Sequence, residues 1–176
     1  MPKAAVFFLL ACSGWAQSPE AISRELKEIC DADQKDRTGT GMAPGADQRD
    51  HQRRARVLEI LKTAELTTGD DFFNAALVLQ HGEIPEDFLL AHVLATASAM
   101  RRHKTGAWLA AATLDRYLQR IGKPQVFGTQ YVRSNGASEW SQGDYSRELL
   151  SDGMRKAFGV PDLAKQVARM EQMNKR

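Results

Sequence analysis

Apolar residues recur along most of this chain at the three- and four-residue spacing of an amphipathic helix. Glycine, proline or a capping residue bounds most of these runs. The predicted helices begin near Pro19, Asp47, Gly69, Pro85, Ala107, Asp144 and Pro161. The pattern therefore predicts a mainly α-helical fold, a compact single-domain bundle of about seven helices.

One segment has a different pattern. Pro124 ends the fifth helix, and the residues from Gln125 to Arg133 are rich in β-branched and aromatic side chains. Asn135-Gly136 is typical of a two-residue hairpin turn, and Glu139-Trp140 would lie on the returning strand. We therefore expect one small β-hairpin, with one face packed on the helices.

Length and composition agree with a single globular domain. The chain has 176 residues, of which 43% are hydrophobic and 26% are charged. Its net charge of +2 is spread over 24 basic and 22 acidic residues, and only Arg49–Arg56 concentrates one sign. We interpret that segment as a solvated basic face, with anion binding as the alternative, and we expect no nucleic-acid partner.

The N-terminus has the features of an export signal. Lys3 precedes the apolar run Ala4–Ala11, which is too short to span a bilayer. Removal of residues 1–16 would leave a single helical domain over residues 17–176 in the periplasm or outside the cell. Alternatively, Leu9-Leu10-Ala11-Cys12 resembles a bacterial lipobox. Residues 1–11 would then be removed, and a lipid on Cys12 would be the only link to the membrane.

Two residues with reactive side chains are expected to be structural. Cys30 lies on the apolar side of the first helix, and removal or lipidation of Cys12 leaves it without a disulfide partner. We interpret it as a small buried hydrophobe. His92 is a single histidine among apolar neighbours, where a hydrogen-bonded core histidine is more common than a ligand.

Several apolar stripes end in polar residues where a buried face should continue. These are Asp33, Gln34 and Arg37; Asp47 and His51; Gln80 and His81; Asp115 and Arg116; and Gln125, Thr129 and Gln130. If the stripes meet in one core, their polar ends meet at one end of it. Buried polar groups there must satisfy one another or face a ligand. The sequence therefore predicts a single polar centre.

The same residues form a set of short motifs between Ile22 and Met170. The motifs are Asp33-Gln34-Lys35-Asp36-Arg37, Gln80-His81, Asp115-Arg116 and Gln125-Val126-Phe127-Gly128-Thr129-Gln130. Their order and spacing resemble an uncharacterised bacterial family, known only as a domain of unknown function. Phe127 departs from the family pattern, which has tyrosine there. The resemblance supports the choice of candidate residues and implies no particular chemistry.

The favoured interpretation is a polar network with a binding or structural role in the cell envelope. A small polar or anionic ligand is the expected partner. The candidate ligand-binding residues are Arg37, Arg116, Gln80, Gln125, Thr129 and Gln130. The alternative is a hydrolase or group-transfer enzyme in which His81 is the general acid/base and Asp33 or Asp115 orients it. An arginine would then hold the anionic group of the substrate.

A metal site is a further alternative. Asp47 and His51 are one helical turn apart and could bind a metal ion together with His81 and a carboxylate. The same spacing is common by chance in helices. We therefore predict neither a metal site nor a cofactor.

Overall fold

Seven helices make up most of the chain in this computed structural model, which describes residues 17–38, 43–133 and 139–175. They are α1 (Pro19–Lys35), α2 (Ala46–Thr63), α3 (Gly69–Leu79), α4 (Pro85–Met100), α5 (Gly106–Arg120), α6 (Asp152–Ala157) and α7 (Leu163–Asn174). The mainly α-helical prediction is confirmed. The expected export signal with Cys12 and the Asn135-Gly136 turn lie outside the described residues.

Local features of the chain explain why α1, α3 and α4 start where the sequence predicts. Ser18 Oγ accepts from the amide of Ala21 at 3.3 Å and caps α1. At α3, Thr68 Oγ1 accepts from the amide of Asp71, whose carboxylate accepts from the amide of Thr68. Proline occupies the first turn of α1 and α4, where its missing N–H leaves no bond unmade.

Helices α1 to α5 enclose the main apolar core. Helix α3 contacts α1, α2, α4 and α5, and α4 also packs along α5. The most buried side chains include Leu26, Val57, Ile60, Leu79 and Leu109. A second, smaller cluster of Ala111, Phe127 and Val160 joins the C-terminal segment to α5. None of the described helices combines the length and the apolarity needed to cross a membrane.

Cys30 is buried as expected, and His92, expected in the core, is partly buried and makes a hydrogen-bonding contact. Cys30 is 4% exposed, and burial raises the pKa of its thiol to about 11, so it is a protonated core residue at neutral pH. His92 Nδ1 lies 2.9 Å from the carbonyl oxygen of Ala110 on α5, within hydrogen-bonding distance. Both side chains therefore contribute to the packing of the bundle.

The predicted β-hairpin is not supported. The described residues contain no sheet, only isolated bridges that pair Gln125 with Tyr145 and Val132 with Ser141. A hairpin strand must donate its amides to a neighbouring strand. Here three amides between residues 126 and 129 donate to the side chain of Asp115 instead. The buried carboxylate of Asp115 therefore accepts the backbone hydrogen bonds that a second strand would have accepted.

The sixth helix is shorter than predicted. The sequence pattern suggests Asp144–Phe158, whereas α6 covers Asp152–Ala157. The backbone before α6 pairs with a distant residue, because the amide of Gln125 donates to the carbonyl of Asp144 and the amide of Ser146 donates to the carbonyl of Gln125. These groups are then unavailable for helical bonds. Ser151 caps the shorter helix that follows.

The contact between α4 and α5 depends on Gly106. A Cβ added there would lie 2.6 Å from the backbone nitrogen of Ala99, which cannot move aside independently of α4. We expect Gly106→Ala to lower the free energy of unfolding by about 1–3 kcal/mol, measured by urea denaturation followed by circular dichroism. Gly153→Ala, in α6, is the matched control, because a Cβ added there would have its nearest neighbour, Ser151 Oγ, at 3.8 Å. Equal effects in the two variants would contradict this close packing.

Candidate functional site

Asp115, on α5, holds the turn of chain that follows this helix. Its side chain is fully buried. Oδ1 accepts hydrogen bonds from the amides of Val126 (2.7 Å) and Phe127 (3.0 Å). Oδ2 accepts from the amide of Thr129 (2.9 Å) and from its hydroxyl (2.8 Å). We call Asp115 and residues 126–129 the Asp115 anchor. Both carboxylate oxygens are used within the protein, which gives this residue a structural role.

Three buried glutamines extend the anchor into a network. Gln142 Nε2 donates to the carbonyl of Gly128 (2.7 Å) and to Gln166 Oε1 (2.8 Å). Gln125 Nε2 donates to the carbonyl of Gln142, and its Oε1 accepts from the amide of Gln130 (2.9 Å). These side chains supply partners for backbone groups that lie in no helix or sheet. The network is therefore part of the fold of the C-terminal segment.

Gly128 is enclosed at the centre of this network. Its φ of +74° lies in the left-handed region that favours glycine, and an added Cβ would lie 2.5 Å from the ring of Tyr145. The Tyr145 hydroxyl donates to the carbonyl of Phe127 (3.0 Å) and accepts from Arg155 Nε (3.1 Å). Side chains of the protein therefore occupy the space around Gly128 that a ligand would need.

The sequence prediction did not include Gln142, Arg155 and Gln166, which are all buried. Gln166 lies three residues after Leu163, so the helical spacing of α7 already places it on the apolar stripe. Arg155 donates to the carbonyls of Leu150 and Arg147, both outside α6. Gln142 lies in an irregular segment, where no periodic pattern marks the buried positions.

A separate ion-pair network joins the C-terminal end of α1 to α2. Arg37 lies 2.8 Å from Asp33 Oδ1 and 2.6 Å from Asp50 Oδ2. Arg53 lies 3.0 Å from Asp50 and 2.6 Å from Asp36. Arg37 Nη1 donates to the backbone carbonyl of Asp33 at 2.7 Å and is out of line for a bond to Asp33 Oδ1. That oxygen thus has a cation beside it but no hydrogen bond among the described residues.

The basic segment Arg49–Arg56 is not the solvated face that the sequence suggested. Its arginines pair with acidic residues: Arg49 with Asp36, Arg54 with Glu83, and Arg56 with Glu25 and Glu59. Arg54 is only 7% exposed and also donates to the carbonyl of His81. Glu83 and Glu25 are 29 and 31 residues away from their partners in the chain, so only tertiary packing brings these charges together.

His81 lies directly after α3, beside Asp33. Its Nε2 is 3.7 Å from Asp33 Oδ2, which is too long for a hydrogen bond. Burial lowers the pKa of His81 to about 3, and the positive charges of Arg37, Arg116 and Arg54 act in the same direction. Burial raises the pKa of Asp33 to about 6, against the opposing effect of Arg37. At neutral pH the pair is an uncharged imidazole beside a carboxylate.

Arg116 lines a surface cleft of about 240 Å³ together with Phe88, Gln119 and Arg120, which we call the arginine cleft. Its Nε is buried and has no hydrogen-bond partner among the described residues. Burial lowers the pKa of Arg116, and the charges of Arg37 and Arg120 contribute to the lowering. Arg116 thus contributes a positive charge to the wall of the cleft, with its Nε below the surface.

The other described grooves and the predicted metal-binding pair give less support for a binding site. Two larger grooves, of about 570 and 520 Å³, contain none of the residues that the sequence predicted for a site. Asp47 and His51, the pair considered for metal binding, are both exposed. Within the described ranges, no group of three or more histidine, cysteine or acidic side chains could hold a metal ion.

The predicted site residues form two groups instead of one centre. Asp115, Gln125, Thr129 and Gln130 belong to the anchor and its network. The second group surrounds His81: it contains Asp33, Arg37 and Arg116, whose charges act on His81 or lie beside it. Gln80 is buried directly before His81. Consecutive helical residues point about 100° apart, so Asp115 and Arg116 have different neighbours. No hydrogen bond joins Asp115 to His81 in the part of the chain that the structure describes.

Comparison with known proteins adds no relative, because no family model, curated protein or solved structure matches this chain. The class of protein therefore follows from its own geometry. It is a mainly α-helical domain that combines a hydrogen-bonded carboxylate anchor with a cationic surface cleft. The resemblance to a bacterial domain of unknown function stays a prediction.

Asp115→Asn tests the structural role of the anchor. An amide has one acceptor oxygen, and its NH₂ group would face backbone N–H donors, so buried donors would lose their partners. We expect the free energy of unfolding to fall by about 3 kcal/mol in urea denaturation. Asp144→Asn is the control, because Asp144 is exposed, and we expect a change within about 0.5 kcal/mol. Similar losses in both variants would argue against the anchor.

His81 and Asp33 should contribute opposite pH dependences to stability. The folded pKa of His81, about 3, lies below its ordinary value of 6.5, so its contribution is present above 6.5 and is lost as pH falls towards 3. The folded pKa of Asp33, about 6, lies above its ordinary value of 3.8, so its contribution is present below 3.8 and is lost as pH rises through 6.

Urea denaturation at a series of pH values measures both effects. The free energy of unfolding of the wild type minus that of His81→Gln should rise with pH between about 3 and 6.5. The corresponding difference for Asp33→Asn should fall with pH between 3.8 and about 6. Each variant is the control for the other, and slopes of the same sign would contradict these protonation states.

Proposed function

We propose that this chain is an exported binding protein that holds a small anion in the arginine cleft without catalysing a reaction. The observation that carries the proposal is the buried Arg116 Nε, which has no hydrogen-bond partner among the described residues. A buried donor without a partner costs about 1–3 kcal/mol, and a charged one costs more. Nε lies below the cleft surface, so an anionic oxygen would bond to it once the Arg116 side chain turns towards the cleft, and there the anion would also counter the like charges around Arg116.

The composition of the cleft indicates the class of ligand. The planar guanidinium of Arg116 matches the geometry of carboxylate and phosphate oxygens. Arg120 adds a second positive charge, and its guanidinium carbon lies 5.2 Å from the centre of the Phe88 ring, which holds it at the wall. The volume of about 240 Å³ is below the range of about 300–1,000 Å³ typical of pockets for larger ligands. A small carboxylate or phosphate group fits these properties.

Arg37 and Arg54, near Arg116, are weaker candidates for binding an anion. Arg37 is paired with Asp33 and Asp50, and Arg54 is paired with Glu83. Their charges are compensated by nearby carboxylates, whereas the cause of the lowered pKa of Arg116 is burial among like charges. Arg116 is therefore the arginine of this region that gains most from an added anion.

Catalysis by His81, the alternative function, has less support. A general acid/base works best when its pKa lies near the working pH, and that of His81 is about 3. Asp115, a predicted orienting residue, uses both carboxylate oxygens in the anchor. Asp33, the other one, lies 3.7 Å from His81 Nε2. These distances and charges favour a binding role for the region.

The proposal of export rests on the N-terminal sequence. Lys3 followed by the apolar run Ala4–Ala11 is typical of a signal that directs a chain through the membrane. Cleavage before Gln17 would release the helical domain into the periplasm or the medium, and lipidation of Cys12 would hold it at the membrane surface. In each case the anion would be bound in the cell envelope or outside the cell.

Titration with sodium phosphate or sodium acetate at constant ionic strength tests the cleft. In the wild type we expect a saturable shift of the Arg116 Nε–H signal in ¹⁵N-resolved NMR spectra and a rise in Tm with added anion. Arg116→Gln should lose the anion-dependent rise in Tm, because the neutral amide of glutamine cannot replace the positively charged guanidinium group. Arg24→Gln should keep it, since Arg24 is exposed in another groove.

Circular dichroism checks that Arg116→Gln retains the helical fold before the titrations are compared. A wild-type Arg116 signal that fails to saturate would contradict the proposal. An equal anion-dependent rise in Tm for the wild type and Arg116→Gln would also contradict it, because the anion would then act elsewhere on the protein.

A further inference from the structure

Helix α4 carries an apolar stripe on its solvent side. Leu89 is 40% exposed, Val93 is 55% exposed and Met100 is 79% exposed. Glu86 and Thr96 are exposed polar residues on the same side of the helix. The opposite side of α4 packs against α3 and α5, so this helix is apolar on both sides. A helix on the surface of a bundle normally presents charged and polar residues to water.

The spacing of the stripe is that of a helix–helix seam. From Glu86 through Leu89, Val93 and Thr96 to Met100 the steps alternate between three and four residues. This alternation is the heptad pattern of positions a and d, which pack knobs into holes against a second helix. At 1.5 Å per residue the seam is about 21 Å long. Its geometry fits another helix better than a flat surface.

The charges at the two ends of α4 are opposite. Glu86 lies at its N-terminal end, and Arg101, Arg102 and Lys104 follow its C-terminal end; all four side chains are exposed. Glu83, just before α4, is already paired with Arg54. Glu86 and Met100 are each seven residues from Val93, so Val93 is the midpoint of the seam. A two-fold axis through Val93 would set each acidic end against a basic end. The seam is thus complementary to itself in the antiparallel orientation.

We propose that α4 is the contact helix of a homodimer, in which the seams of two copies pack antiparallel about Val93. Leu89 and Val93 then form the apolar centre, and Glu86 lies opposite the partner's Met100 and close to the partner's Arg102. A second copy of this chain is the occupant because the charge pattern is symmetric about the midpoint of the seam, as an isologous interface requires. The arginine cleft and its ligand play no part in this interface.

Sedimentation velocity over a range of concentrations tests the dimer, using the chain from Gln17 onwards, which contains every described helix. A single seam is a small interface, so we expect dimers in the wild type at about 100 µM. Val93→Glu places two carboxylates face to face at the axis and should weaken dimerisation at least about tenfold. Val167→Glu is the matched control, because Val167 is a 38% exposed valine on α7, and it should leave the dimer intact.

A charge exchange tests the antiparallel orientation. Glu86→Arg should weaken the dimer, and adding Arg102→Glu should restore it, because the exchanged charges again face each other. Circular dichroism confirms that each variant remains helical. A monomeric wild type at about 100 µM overturns the proposal. So does an equally strong dimer in Val93→Glu, since the contact would then lie on another face. Failure of the double variant to restore dimerisation overturns the antiparallel arrangement.

Discussion

The buried carboxylate of Asp115 is the interaction on which the C-terminal third of this protein depends. It accepts hydrogen bonds from the amides of residues 126, 127 and 129, which have no partner in a helix or sheet. Once this turn is held on α5, Phe127 reaches the smaller apolar cluster, and Gln166 on α7 reaches the carbonyl of Phe127. A single side chain thus connects the helical bundle to the irregular segment that covers α5.

The same helix separates two uses of polar side chains. Asp115 and the buried glutamines form hydrogen bonds with backbone groups, so these side chains stabilise the fold. Arg116, one residue further along α5, points in another direction and lines a surface cleft, and its buried Nε has no hydrogen-bond partner in the described part of the chain. Burial of polar residues therefore does not by itself identify a binding site. The two sites differ because both oxygens of Asp115 accept hydrogen bonds, whereas Arg116 Nε has no hydrogen-bond partner among the described residues.

The helices were predictable because their signals are local. Ser18, Thr68 and the first-turn prolines bond or constrain residues within four positions of themselves, and the prediction of each start required no knowledge of the rest of the fold. The hairpin and the long sixth helix were wrong because Asp115 and Gln125 compete from a distance for the same backbone groups. Of the nine candidate residues, four are buried and five are partly exposed, and their division into two groups depends on the direction in which each side chain leaves the backbone.

By itself, the sequence determined the class of fold, the starts of the first five helices, and which polar residues interrupt the apolar stripes, since periodicity and capping act over a few residues. The tertiary structure decided which of those residues meet. It paired Arg54 and Arg56 of α2 with acids about thirty residues away, bonded both oxygens of Asp115 to the backbone, and left Arg116 Nε without a hydrogen-bond partner among the described residues. The physical reason is that hydrogen bonds and ion pairs depend on direction and distance in space, and one sequence pattern is compatible with several such arrangements.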